Sequence, residues 1–161
     1  MTLNIGDVAP DFTLKSKNQT GEVKDISLKD FKGKNVVLLF HPLAYTGICT
    51  TEMCTVSEGF EIYSSLNAVV LGIGVDSIFT QEAWSKQNKI TIPLLSDFNK
   101  EVIEKYGTKY PDGGFVHGIN GVSKRSAFVV DKSGIIRYKE ILDDAGKLPN
   151  FDKIKEVLKS I

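Results

Sequence analysis

The run Val36-Val37-Leu38-Leu39-Phe40, followed by His41-Pro42, decides the fold. It is short, unbroken, apolar and rich in valine, so it reads as a strand buried on both faces. Pro42 cannot donate to a ladder and closes it. C-terminal to it, a loop over 43–47 leads into a predicted helix over 49–66, in which Met53, Val56, Phe60 and Tyr63 recur at three- and four-residue steps. A second buried strand is predicted over 68–75, then a helix over 79–87 carrying the only tryptophan, Trp84. Pro93-Leu94-Leu95 is a short strand, 100–106 a helix stopped by Gly107, and 110–121 a loop with four glycines and one proline. Strands over 126–130 and 134–141 are joined by Asp131-Lys132-Ser133-Gly134, a hairpin turn. An amphipathic helix over 151–161 closes the chain. On the N-terminal side, Phe12-Thr13-Leu14 and 23–28 are short strands flanking the polar stretch 15–21, which ends in Gly21 and has hairpin chemistry. Strand, helix, strand, helix, then hairpin and helix give an α/β sandwich with a mixed sheet.

The chain has 161 residues, which predicts one domain over 1–161. Lys+Arg and Asp+Glu are 20 each, so the net charge is zero and carries no footprint for nucleic acid or an anionic membrane. No apolar run is long enough to span a bilayer. The first residues lack a basic and an apolar leader segment, so a cytoplasmic location is expected and the sequon Asn18-Gln19-Thr20 reads as chance. Two cysteines and two histidines exclude a four-cysteine zinc site and a dense disulfide framework. No metal, heme or nucleotide cofactor is expected; Gly72-x-Gly74 lacks the third glycine of a dinucleotide fingerprint.

Cys49 falls in the first turn of its predicted helix, just beyond a buried strand. Ligands of open α/β sheets gather at that end of the strands. Unpaired amides and the positive end of the helix dipole favour an anion there, and a thiolate is one. Thr46 can supply a hydroxyl to the sulfur or to a ligand beside it. Pro42 can shield the sulfur and offers no competing N–H. From position alone, a half-buried helix cysteine without chemistry fits equally well.

The residues resemble a family. Pro42-x-x-x-Thr46-x-x-Cys49 is similar to the active-site signature of the peroxiredoxins, thiol peroxidases on a thioredoxin-like fold. Gly6-Asp7-Val8-Ala9-Pro10-Asp11-Phe12 resembles the family's opening, and 31–38 the approach to its central strand. Thr50-x-Glu52 follows the cysteine as in many members, and 125–131 resembles the later strand that carries the active-site arginine. The resemblance implies a central mixed sheet flanked by helices with an N-terminal β-hairpin. It implies Cys49 as peroxidatic nucleophile, Thr46 holding the peroxide, Arg125 as the fixed positive charge, and Pro42 shaping the pocket. Glu52 either braces the arginine or is a solvated helix glutamate.

Cys54 lies five residues after Cys49, a spacing that resembles the group named after the bacterioferritin comigratory protein, where a cysteine at this offset often resolves the sulfenic acid. An ideal helix puts Cα atoms five residues apart at roughly 8.6 Å. A disulfide needs about 4.4 to 6.8 Å, so the helix start would have to unwind in each turnover. The loop 42–49 also resembles one-cysteine peroxiredoxins, in which Cys54 would be structural and an external thiol would resolve. The reading is a peroxidase acting on hydrogen peroxide or small organic hydroperoxides, resolved by Cys54 and recycled by a thioredoxin-like protein. The alternatives are that one-cysteine enzyme and a redox-gated chaperone or sensor. A homodimer is expected over a monomer, with Tyr45, Phe79, Tyr110 and Phe115 near the active-site face. His41 is expected to pack rather than react, His117 to be exposed, and Asp76 to cap a helix.

Overall fold

The computed structural model describes residues 2–17 and 20–161; the sequon's Asn18 and Gln19, in the 15–21 connection, lie outside it. Seven strands form one mixed sheet in the order β2-β1-β5-β4-β3-β6-β7. The strands are β1 (Thr13–Lys17), β2 (Val23–Ser27), β3 (Asn35–Phe40), β4 (Ala68–Gly74), β5 (Leu94–Ser96), β6 (Ser126–Val130) and β7 (Ile136–Ile141). The helices are α1 (Gly47–Glu58), α2 (Phe60–Ser65), α3 (Ile78–Asn88), α4 (Glu101–Lys105) and α5 (Phe151–Ser160). β3 lies between β4, parallel to it, and β6, antiparallel. The hairpin β1–β2 extends the central sheet through a pairing of Lys15 with Ser96.

All six residues of β3 are buried, as an unbroken apolar run requires. Their side chains alternate between two cores. Val36, Leu38 and Phe40 join Phe12, Leu71, Ile103 and Tyr106 on one face. Val37 and Leu39 join Met53, Val56, Trp84, Ile154 and Leu158, from α1, α3 and α5, on the other.

The strand expected over 134–141 begins at Ile136 because its turn uses more residues. The Asp131 carboxylate accepts from the amides of Ser133 and Ile135, and Gly134 takes a positive φ of 84°. The helix expected over 49–66 is two helices. It is interrupted at Gly59, at φ −90° and ψ 12°, where α1 ends and α2 begins. Met53, Val56 and Tyr63 are buried as their spacing requires, but Phe60 beyond the break is 52% exposed.

Candidate active site

Strand register assembles the site. Phe40 pairs with Ile73 of β4 and with Ser126 of β6. One step beyond, at the carboxyl end of β3, His41, Gly74 and Arg125 stand side by side. The period of two carries the Val37–Leu39 face on to His41, and the Val129–Ala127 face on to Arg125, so both side chains turn toward α1.

α1 presents Cys49, Glu52, Met53 and Val56 as its buried stripe. Glu52 therefore occupies a core position, and a carboxylate there needs a partner. Arg125 supplies it: Nη1 donates to Glu52 Oε1 at 2.8 Å and to the Cys49 sulfur at 3.3 Å, while Nη2 donates to the Ala145 carbonyl at 3.1 Å. The Arg125 side chain is 2% exposed and that of Glu52 0%. Cys49 is fully buried, and Pro42 beside the loop is buried. The first helical bond of α1 runs from Thr50 N to Thr46 O, which leaves the amides of Gly47, Ile48 and Cys49 without helical partners around the sulfur. Thr46 Oγ1 donates to Leu43 O at 2.8 Å and its hydroxyl also lies against the sulfur.

His41 packs, as expected, but one of its neighbours is the sulfur. It is wholly buried against the sulfur, with Trp84 on its other side at 5.2 Å between ring centroids. A Cβ on residue 74 would overlap its ring, so glycine there makes room for the imidazole. Neither ring nitrogen has a well-directed hydrogen-bond partner, so its tie to Cys49 is one of proximity and charge.

Four ionisable groups thus share one buried compartment: Arg125 and His41, whose protonated forms are cations, and Cys49 and Glu52, whose ionised forms are anions. Burial pushes the Cys49 thiol up, but His41, Arg125 and the Thr46 hydroxyl together outweigh it and hold the thiol at about 6, against an ordinary 9.0. Burial pushes the Glu52 carboxyl up to about 7, although Arg125 and His41 oppose it. Burial pushes the His41 imidazole down, and the neighbouring Cys49, Glu52 and Asp76 overcome this and raise it.

Cys54 is not part of this group. It sits off the buried stripe, and its thiol donates to the Asn88 carbonyl at the end of α3 at 3.4 Å. Both cysteines are free thiols. Asp76 accepts from the Ala44 amide at 2.8 Å and so fixes the active-site loop. The cap of α3 is instead Ser77, which accepts from Thr80 N. His117 is exposed, as expected.

Residues 5–139 match the AhpC/TSA family. The chain belongs to this family, the peroxiredoxins. It is 38% identical over 142 residues to alkyl hydroperoxide reductase E of Mycobacterium tuberculosis, covering 86% of each chain. It is 34% identical over 164 residues to peroxiredoxin-1 of Gallus gallus, covering 98% of this chain and 77% of the relative. Among solved structures, the reduced 2-Cys peroxiredoxin of Plasmodium vivax superposes with a TM-score of 0.86 at 25% identity, covering 98% of this chain and 81% of that one. Peroxidoxin BcpB of Mycobacterium tuberculosis superposes with a TM-score of 0.79 at 28% identity, covering 99% and 98%. This peroxiredoxin is a thiol peroxidase on a thioredoxin-like fold, as its sequence leads one to expect.

Proposed function

We propose that Cys49 is the peroxidatic nucleophile for hydrogen peroxide and small organic hydroperoxides, and that Cys54 resolves it. The observation that carries the first half is the bond from Arg125 to the Cys49 sulfur inside a buried compartment. The thiolate attacks the terminal oxygen of the peroxide. The sulfur–oxygen bond forms, the oxygen–oxygen bond breaks, and the leaving oxygen departs as hydroxide or alkoxide and takes up a proton as water or alcohol. Arg125 faces the charge that moves from sulfur to oxygen, and the free amides of the first turn of α1 share that task. Thr46 orients the peroxide, and Pro42 walls the pocket.

In the second step the Cys54 thiolate attacks the Cys49 sulfenic sulfur. The sulfur–sulfur bond forms, and hydroxide leaves and is protonated to water. A thioredoxin-like dithiol then reduces the disulfide. The anchoring of Cys54 on α3 also supports a second reading, in which Cys54 is structural and an external thiol resolves the sulfenic acid. We further propose one domain over 1–161, a cytoplasmic location, and a homodimer formed through the exposed Tyr45 and Phe79. Among the described residues no helix is long and apolar enough to cross a membrane.

Intact mass after one equivalent of hydrogen peroxide tests the assignment. Wild type is expected to become lighter by about 2 Da and Cys54→Ser heavier by about 16 Da. A gain of one oxygen by both proteins makes Cys54 structural. No change in either removes Cys49 as the nucleophile.

A further inference from the structure

Three hydrogen bonds tie α1 to α3 and the residues after it. Trp84 Nε1 donates to Thr50 Oγ1 at 3.0 Å, the Cys54 thiol donates to Asn88 O at 3.4 Å, and Thr91 N donates to Ser57 Oγ at 2.9 Å. Each pair is separated by 34 residues. The constant offset means that the two segments run parallel and in register, so the bonds are successive rungs of one ladder. Two further bonds stiffen its upper end: Thr50 Oγ1 donates back to Thr46 O at 2.9 Å, and Asn88 Nδ2 donates to Trp84 O at 3.1 Å.

We propose that this ladder gates resolution: its first two rungs hold the segment from Cys49 to Cys54 helical, and both must open before the disulfide closes, while the Ser57 rung stays as the anchor. The inference rests on the resolving role proposed for Cys54. An intact helix keeps the two Cα atoms roughly 8.6 Å apart, beyond the reach of a disulfide. Unwinding between Cys49 and Cys54 breaks the bond at Thr50, because that residue lies inside the segment. It also breaks the bond at Cys54, because the attacking sulfur is itself that rung. Ser57 lies one turn beyond and need not move. While the ladder is closed, Cys54 donates its proton to a carbonyl and is not a thiolate; burial first, and then Glu58, push its thiol up in the same direction. The ladder therefore sets how long the sulfenic acid waits, and so how it divides between disulfide and further oxidation by a second peroxide.

Thr50→Val keeps the shape and removes the first rung. It is expected to speed conversion of sulfenic acid to disulfide by at least about three- to ten-fold, the worth of one hydrogen bond, since the bond from Thr50 to Thr46 is lost with the rung. It should lower the sulfinic fraction at high peroxide and speed amide exchange over residues 50–54 of the reduced protein. Trp84→Phe removes the donor of the same rung and should act in the same direction. Ser57→Ala removes the third rung and is expected to leave the disulfide rate unchanged, although it too loses a hydrogen bond. An unchanged disulfide rate and unchanged exchange in Thr50→Val overturn the gate. So does an equal acceleration in Ser57→Ala, which would show general loosening. A wild type that gains one oxygen and forms no disulfide is a different failure: it overturns the resolving role itself.

Discussion

Arg125→Met is expected to lower the second-order rate of Cys49 with peroxide by about 100- to 1,000-fold, the usual effect of removing one preorganised donor from a developing anion. The same change should cost roughly 1 to 3 kcal/mol of stability, because it leaves a buried carboxyl without its partner, and burial, which already pushes that carboxyl up to about 7, then favours its protonation. Both effects follow from one guanidinium group that bonds Cys49 and Glu52 with the same nitrogen. They separate in a double variant. Arg125→Met with Glu52→Leu removes the orphaned carboxyl together with its partner, so urea unfolding should return most of the lost stability. The peroxide rate should stay low, because the sulfur still lacks its cation. Recovery of both would mean that Arg125 serves the fold alone. Stopped-flow rates and denaturation midpoints on the same three proteins decide it.

His41→Phe is the second large effect, and it is read in the pH profile. The Cys49 thiol is held at about 6 against the upward push of burial, and His41 is the foremost of the groups that hold it there. With phenylalanine in its place that contribution is lost while burial remains. Reactivity requires the thiolate, so the acid limb of the rate profile should move toward the ordinary thiol range. Near pH 7 the ionised fraction would fall from about nine-tenths to a few per cent, a drop of roughly thirty-fold, if the thiol returns to about 8.5. At alkaline pH the variant should approach wild type, since Arg125 and the helix start are intact. A uniform loss at every pH would contradict this and point to a packing role.

The low pKa also couples to folding. A thiol at about 6 in the folded state and 9.0 ordinarily favours the fold above the higher value, and that contribution is lost as pH falls through the lower one. Glu52 acts in the opposite sense. Its carboxyl is pushed up to about 7 from 4.5, so its contribution is full below the lower value and fades as pH rises through the upper one.

The central strand and the position of Cys49 were legible because each rests on local pattern: an unbroken apolar run, then a cysteine at a helix start. Arg125 reached the site only through the resemblance, since its approach to Cys49 depends on β6 pairing antiparallel with β3. Glu52 was ambiguous because a glutamate at a helical step of three from Cys49 reads as solvated until the stripe Cys49-Glu52-Met53-Val56 is seen to be buried. That His41 packs was legible, but that it packs against the sulfur, in space left by the bare Gly74, was not, because that needs β3 set beside β4. The break at Gly59 was hidden by an apolar spacing that runs through it. The ladder from α1 to α3 was illegible, since nothing in Thr50 or Trp84 alone announces a partner 34 residues away.

The most direct test of this account is the ultraviolet absorbance of the Cys49 thiolate, followed across pH in Cys54→Ser so that one sulfur alone titrates. A single step centred at about 6, absent when Cys49 is also replaced by serine, is the expected result. A step in the ordinary range near 8.5 to 9 would contradict it. It would mean that the buried cations do not hold the sulfur ionised, and the proposed chemistry would lose its nucleophile at neutral pH.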